Sequence, residues 1–232
     1  MNIDRRHIYG IMLDTETANT IDNDGSLDMT NVLPYDIGFA IVDSHGRVYE
    51  KHSFVIADIY IYEKELMQSA YYAHKLPQYE EDLRNGKRLL RTAYTIKTFI
   101  RQKIKEYNCK FAVAHNARFD YRAVNNLDRW TTKSKYRYFL PSGLVWWDTL
   151  KMARDVIGKM PTYRNFCIEN NYICKNNQLK FTAEVLYRFI SKDNNFIESH
   201  TGLEDVEIEV QILAYCVRQH KKMRKALFNW QG

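Results

Sequence analysis

Apolar residues fall in two rhythms along this chain. Through the first quarter they gather in short, nearly continuous runs, His7 to Asp14, Tyr35 to Asp43 and Arg47 to Ile56. Runs of that length, rich in Ile, Val, Tyr and Phe, predict strands, and Ser44-His45-Gly46 between the last two predicts a hairpin. The result would be an antiparallel meander. The segment from Asn19 to Pro34, with Asn23-Asp24-Gly25-Ser26, reads as an exposed polar loop. From Glu63 the period lengthens to that of a helix, with a turn at Leu76-Pro77. Thr92 to Tyr107 then sets Ile96, Phe99, Ile100 and Ile104 on one helical face. Lys110 to Ala114 and Val145 to Asp148 predict a fourth and a fifth strand, with a helix from Ala117 to Trp130 between them. Helical spacing returns in Leu150–Ile157, Thr162–Asn170, Thr182–Ser191 and Leu203–His220. This order predicts an α/β fold on a mixed sheet. No internal repeat or flexible linker interrupts it, so residues 1–232 are expected to form a single domain.

Composition sharpens this picture in places. With 45% of 232 residues hydrophobic and 14% aromatic, the chain can bury a core without disulfide staples. No apolar run is long enough to cross a bilayer. The N-terminus carries Arg5-Arg6 without the apolar segment a secretory signal needs, so a cytoplasmic protein with no membrane partner is expected. Cys109, Cys167, Cys174 and Cys216 form no C-x-x-C pair and read as reduced thiols. The formal charge of +6 is unevenly placed. Arg218, Lys221, Lys222, Arg224 and Lys225 supply five of those charges in what is expected to be the basic end of the last helix. Such an end suits a polyanion as well as it suits plain solvation. The next cationic candidates are Arg118, Arg122 and Lys133.

The candidate chemistry rests on carboxylates. Asp14 and Glu16, in Leu13-Asp14-Thr15-Glu16-Thr17, close the first strand, and alternation along a strand points both to one side. Like charges sharing a patch are unfavourable unless a cation lies between them, although two solvated acids after a strand would read the same way. Asp120 lies in Ala114-His115-Asn116-Ala117-Arg118-Phe119-Asp120, a strand-to-helix junction. Asn116 is a good N-cap there, and an acid in the first turn suits the helix dipole with no function at all. Asp205 occupies the first turn of the last helix, with His200 five residues before it on the approaching loop.

Together, in this order and context, the three elements resemble the motifs of the DEDD exonuclease superfamily, in its histidine-bearing subgroup (DEDDh). That subgroup includes the bacterial polymerase III proofreading subunit, ribonuclease T and oligoribonuclease. The resemblance runs from Ile8 to about Tyr215. It implies a ribonuclease-H-like fold, a five-stranded mixed sheet with helices on both faces. It further implies 3′-to-5′ hydrolysis of single-stranded nucleic acid from its 3′ end, releasing nucleoside 5′-monophosphates. By the same resemblance Asp14, Glu16, Asp120 and Asp205 hold two Mg²⁺ ions, with Mn²⁺ able to substitute, and His200 is the general base. Thr15, Thr17, Asn116 and Phe119 flank these acids and are expected to touch the terminal nucleotide, although Phe119 reads equally well as core packing. Gly202 stands where many members carry alanine, a small-for-small exchange expected to be tolerated. Leu27 to Pro34 and Tyr60 to Tyr79 have no counterpart in the pattern.

Elementary chemistry asks for the same residue types. Phosphodiester hydrolysis needs a deprotonated water and a stabilised leaving oxygen, and two hard divalent ions held by carboxylates supply both. A histidine, with an ordinary pKa of about 6.5, accepts a proton near neutral pH. DNA is expected over RNA as substrate. The alternatives are an exoribonuclease and a proofreading subunit docked on a DNA polymerase, while a binding module with dead chemistry has no reason to keep the acids. Asp148 reads as a helix cap, and Tyr60, Tyr62, Tyr71, Tyr72 and Tyr79 as packing or a stacking platform.

Overall fold

The described residues of the computed structural model are 3–18, 26, 28–68, 70, 73–219 and 223–231. A hairpin-linked meander comes first, with β1 (Tyr9–Ala18), β2 (Leu33–Asp43) and β3 (Val48–Ile56). Asp43 closes the β2–β3 turn, its Oδ1 accepting from the backbone N–H groups of His45 and Arg47 at 2.8 and 3.1 Å. The helices α1 (Ala57–Tyr60), α2 (Lys64–Gln68) and α3 (Leu76–Arg84) follow, with a 3-10 turn at Ala73–Lys75. Pro77 starts α3 rather than breaking a helix, because an N–H is not needed in a first turn. Next come β4 (Leu89–Arg91), α4 (Ala93–Glu106), β5 (Phe111–Ala114), α5 (Arg118–Thr132) and β6 (Val145–Asp148). The chain ends through α6 (Thr149–Val156), α7 (Pro161–Glu169), α8 (Ala183–Ser191), α9 (Gly202–Arg218), α10 (Lys225–Phe228) and β7 (Asn229–Gln231).

The expected mixed sheet is present, with seven strands instead of five, in the order β4-β3-β2-β1-β5-β6-β7. The two additions are three-residue edge strands, too short to leave a period in the sequence. β1 is antiparallel to β2 and parallel to β5, and β5 is parallel to β6. β2 is buried along its whole length because helices cover both faces of the sheet, which is why it reads as an unbroken apolar run. On one face Ile96, Ile100 and Ile104 of α4 and Val124 and Leu127 of α5 pack on Ile11, Leu13, Ile37 and Phe39. On the other, Met12, Ala40 and Val113 meet α6, α7, α8 and α9. Each fully buried isoleucine or leucine of these layers contributes roughly 1.5 to 3 kcal/mol.

Three expectations need correction. β1 does not end at Asp14 but runs to Ala18, so Asp14 and Glu16 project from within a paired strand. Half of the predicted loop from Asn19 to Pro34 lies outside the described residues, and its last two positions belong to β2. The last helix ends at Arg218 and does not carry the basic tail outward. Instead the chain turns back through α10 and pairs β7 with β6. Arg224 is consumed there, with Nε and Nη2 each 3.1 Å from Asp155 Oδ1, and Arg218 donates to the carbonyl of Ala214. Lys221, Lys222 and the side chain of Lys225 lie outside the described residues.

Candidate active site

The parallel strands β1, β5 and β6 end at the same edge of the sheet, the edge where open α/β sheets place ligands. β1 delivers Asp14 and Glu16 there, paired across the ladder with Gly38 and Asp36. The β5–α5 junction delivers Asp120, and α9 packs its first turn over β1 and delivers Asp205. That packing depends on two glycines. A Cβ on Gly202 would lie 2.6 Å from the backbone nitrogen of Gly38 and 3.3 Å from the carbonyl oxygen of Asp14, and a Cβ on Gly38 would run into the backbone of Gly202. Gly202 is therefore more than a tolerated variant of alanine, since helix and strand touch backbone to backbone.

The acids crowd one another. Asp14 is held well above the usual carboxylate range by burial and by the charges of Glu209, Asp120, Asp205 and Glu16. Burial and Asp205 raise Glu16 likewise. Burial pushes Asp120 up to about 7, although Thr15 Oγ1 donates to its Oδ1 at 2.9 Å. Burial and Glu198 push Asp205 up to about 8, with Glu16 within hydrogen-bonding reach. Burial raises all four, neighbouring carboxylates add to it, and the Lys75 charge offsets part of the effect at Glu16 and Asp205. The ligand atoms of Glu16, His200 and Asp205 lie within 4.8 Å of one another, and the two carboxylates are the hard oxygen donors that Mg²⁺ or Mn²⁺ take.

His200 stands on the approach to α9 with φ of 49°, a left-handed conformation that a non-glycine residue adopts at a cost. Lys75 Nζ donates to the carbonyl of Ser199 just before it. The ring is half-buried, its Nδ1 3.9 Å from Glu198 Oε2, and burial together with the Lys75 charge lowers its pKa. The sheet side of α9 is fixed by a buried network. Asp36 Oδ2 accepts from the Gly202 N–H at 3.0 Å, from Tyr79 Oη at 2.7 Å and from Arg88 Nη1 at 3.2 Å. Arg88 also donates to Asp82, Ser53 and Glu204.

The structure thus brings Asp14, Glu16, Asp120, Asp205 and His200 together. The flanking residues fare differently. Thr15 and Thr17 are buried, and the Thr15 hydroxyl is already spent on Asp120. Asn116 is exposed but is no N-cap, because its φ of 65° makes Ala117 the cap, and its N–H donates to Asp148 Oδ1 at 3.2 Å. Asp148 caps α6 through the N–H groups of Leu150 and Lys151. Phe119 is half-buried in the first turn of α5. Tyr79 is a buried strut, Tyr62 is exposed, and Tyr71 and Tyr72 lie outside the described residues. His115 is structural, its ring bonded to Thr149 Oγ1 and the Phe181 carbonyl.

Sequence reasoning missed Glu209 and Lys75. Glu209, 3% exposed, lies one turn beyond Asp205 on the same face of α9, accepts from the His115 N–H at 3.1 Å, and is pushed up by burial, Asp120 and Asp205. Its four-residue spacing from Asp205 was the available signal, masked by Glu204 and Glu207 in the same acidic run. Lys75 left no signal. A cavity of about 590 Å³ lies on the outer flank of α9 and meets this region through Ser199 and Glu204.

No family model matches the chain, and no curated protein does. Solved structures do. A full-length 3′-exonuclease superposes with a TM-score of 0.59 at 14% identity, over 97% of this chain and 91% of that one. The nuclease domain of 3′hExo, a DEDDh family member bound to rAMP, superposes at 0.52 and 13% identity, over 99% and 100%. A 3′-exonuclease that recognises the 3′ end of a histone mRNA stem-loop gives 0.55 at 12%, over 97% and 68%. The fold of this chain is the ribonuclease-H-like fold of the DEDDh 3′-exonucleases.

Proposed function

We propose that this chain is a metal-dependent exonuclease of the DEDDh type, removing nucleoside 5′-monophosphates from the 3′ end of single-stranded nucleic acid, with DNA favoured over RNA. One observation carries the reading. Asp14, Glu16, Asp120, Asp205 and Glu209 crowd like charges into a buried patch that divalent cations would relieve, and His200 stands at its rim beside Glu16 and Asp205. Asp14, Glu16, Asp120 and Asp205 would hold two Mg²⁺ or Mn²⁺ ions, which when bound polarise the scissile phosphate and acidify the attacking water. His200 takes that water's proton on a ring nitrogen, and its lowered pKa keeps the ring neutral and ready at neutral pH. Thr15 orients the Asp120 carboxylate, and the Asp36–Arg88–Tyr79 network fixes the start of α9 and so the Asp205 carboxylate. Reduced thiols and a cytoplasmic setting belong to the same reading.

RNA is the second reading, favoured by the neighbour bound to rAMP and by the one that recognises the 3′ end of a histone mRNA stem-loop. Both are decided by matched 3′-labelled DNA and RNA strands incubated in Mg²⁺ with the wild type and with Asp14→Ala. Faster release of labelled mononucleotide from DNA, reduced by several orders of magnitude in Asp14→Ala, is expected. Faster release from RNA establishes the second reading, and substantial hydrolysis by Asp14→Ala sinks the two-metal site.

A further inference from the structure

The described C-terminal residues fold back through α10 and β7, and a strand entering the carboxylate patch needs a cationic path. The outer ridge of α5 offers one. At 3.6 residues per turn, Arg118, Arg122 and Arg129 lie within about 40° of one another around the helix, and the ridge points away from the buried face carrying Asp120, Val124 and Leu127. It begins two residues before Asp120 and extends about 20 Å along the helix. The chain then turns at Lys133, in the left-handed conformation, into an exposed segment carrying Lys135, Tyr136, Arg137 and Tyr138.

Charge and shape along this ridge are one-sided. Between residues 118 and 138 stand six cations and two acids, and both acids, Asp120 and Asp128, are buried. Among the described residues none of the six cations pairs with a carboxylate, whereas Lys51, Lys97, Lys103, Lys159 and Arg188 elsewhere on the surface do. Aromatic rings interleave with them. Lys133 Nζ stands 4.4 Å over the ring of Trp130 and the Arg129 guanidinium 5.9 Å over that of Tyr138, while Tyr136 is 91% exposed. Asn126 pins the 30–32 loop beside the ridge by donating to the carbonyls of Thr30 and Val32. Between that loop and α5 lies a cavity of about 410 Å³ lined by Asn31, Leu33, Asn126, Arg129, Trp130 and Lys133. Cations for phosphates beside exposed rings for bases are the two parts of a single-strand binding surface.

We propose that the α5 ridge and the 133–138 segment bind the nucleic-acid strand on the 5′ side of the bond being cut, with Arg118 nearest that bond and Trp130, Lys133 and Arg137 farthest upstream. The inference rests on the exonuclease reading for its direction, but the surface would bind a single strand even if the site did not cut. The test measures binding by fluorescence anisotropy in chelator, over a series of salt concentrations, using labelled oligothymidylate and oligouridylate of about 20 nucleotides, a length beyond most single-strand site sizes. Arg129→Gln/Lys133→Gln/Arg137→Gln is expected to weaken binding about tenfold or more and to reduce the salt slope by up to about 0.7 for each phosphate left without its cation. Trp130→Ala is expected to weaken it about fivefold or more with the slope retained, the signature of stacking. A charge-matched triple variant placed elsewhere, Lys105→Gln/Arg164→Gln/Lys175→Gln, is expected to change both affinity and slope less. Equal affinities and slopes for ridge variant and wild type, or equal effects in the two triple variants, would overturn the proposal. Shortening of a 5′-labelled strand of about 20 nucleotides by the wild type in Mg²⁺ is read separately. A strand that binds yet stays intact there refutes the exonuclease reading while leaving the ridge decided by binding.

Discussion

Where a Cβ on residue 202 would stand 2.6 Å from the Gly38 nitrogen, the obstacle is backbone and cannot rotate away. Gly202→Ala is therefore expected to push α9 off β1, costing about 1 to 3 kcal/mol of stability in urea as overpacking does, and lowering the hydrolytic rate with it. At His200 the expectation separates chemistry from metal binding. His200→Ala should lose roughly 10² to 10⁴ in rate, recover partly as pH rises, and keep its divalent-ion affinity in calorimetry. A loss of affinity would make the imidazole a ligand, which its 4.8 Å neighbourhood with Glu16 and Asp205 permits. The acids give a pH prediction for the metal-free chain. Because Asp120 and Asp205 titrate at about 7 and about 8 in the fold, the folded state binds more protons than the unfolded one above pH 4. Stability should then fall as pH rises from about 4 to about 8 and be partly restored by Mg²⁺. Asp14→Asn should raise the metal-free melting temperature at pH 8, by roughly 2 to 4 °C for each 1 kcal/mol of repulsion relieved. A melting temperature that rises with pH would contradict the crowding.

Among the elements, α9 carries the most, because its first turn bears Asp205, its second Glu209, and its N-terminal N–H is received by Asp36. Arg88 is 2% exposed and compensates Asp36, Asp82 and Glu204 at once, so Arg88→Met would strand buried charge. A loss of about 3 to 5 kcal/mol is expected in urea denaturation, and less in Arg88→Met/Asp36→Asn, where the orphaned carboxylate is also neutralised. Elements of this kind were unevenly legible in the sequence. α4 and α9 announce themselves by apolar residues three and four apart, and β2 by an apolar run that two covered faces require. β4 and β7 do not, since three residues at a sheet edge satisfy no period. The site acids were legible because strand alternation and helix starts fix where Asp14, Glu16, Asp120 and Asp205 point. Arg88 and Tyr79 were not, because their partner Asp36 lies more than 40 residues away and only the folded sheet brings them together.

At the scale of the molecule, the cationic ridge of α5 among the described residues runs toward the acidic patch at the end of β1, a distribution that suits a polyanion. Beyond the basic stretch, Asn229, Trp230 and Gln231 close the sheet as β7 by pairing with β6, and Trp230 packs against Tyr121 and Trp146. The most direct measurement follows a single strand labelled at its 5′ end, incubated with the wild-type chain in Mg²⁺ and resolved by length over time. The expected result is a ladder that shortens one nucleotide at a time from the 3′ end, that is absent in chelator, and that is restored by Mg²⁺ or Mn²⁺. An intact strand in Mg²⁺, cuts at internal positions, or the same ladder in chelator would contradict a metal-dependent 3′-to-5′ exonuclease.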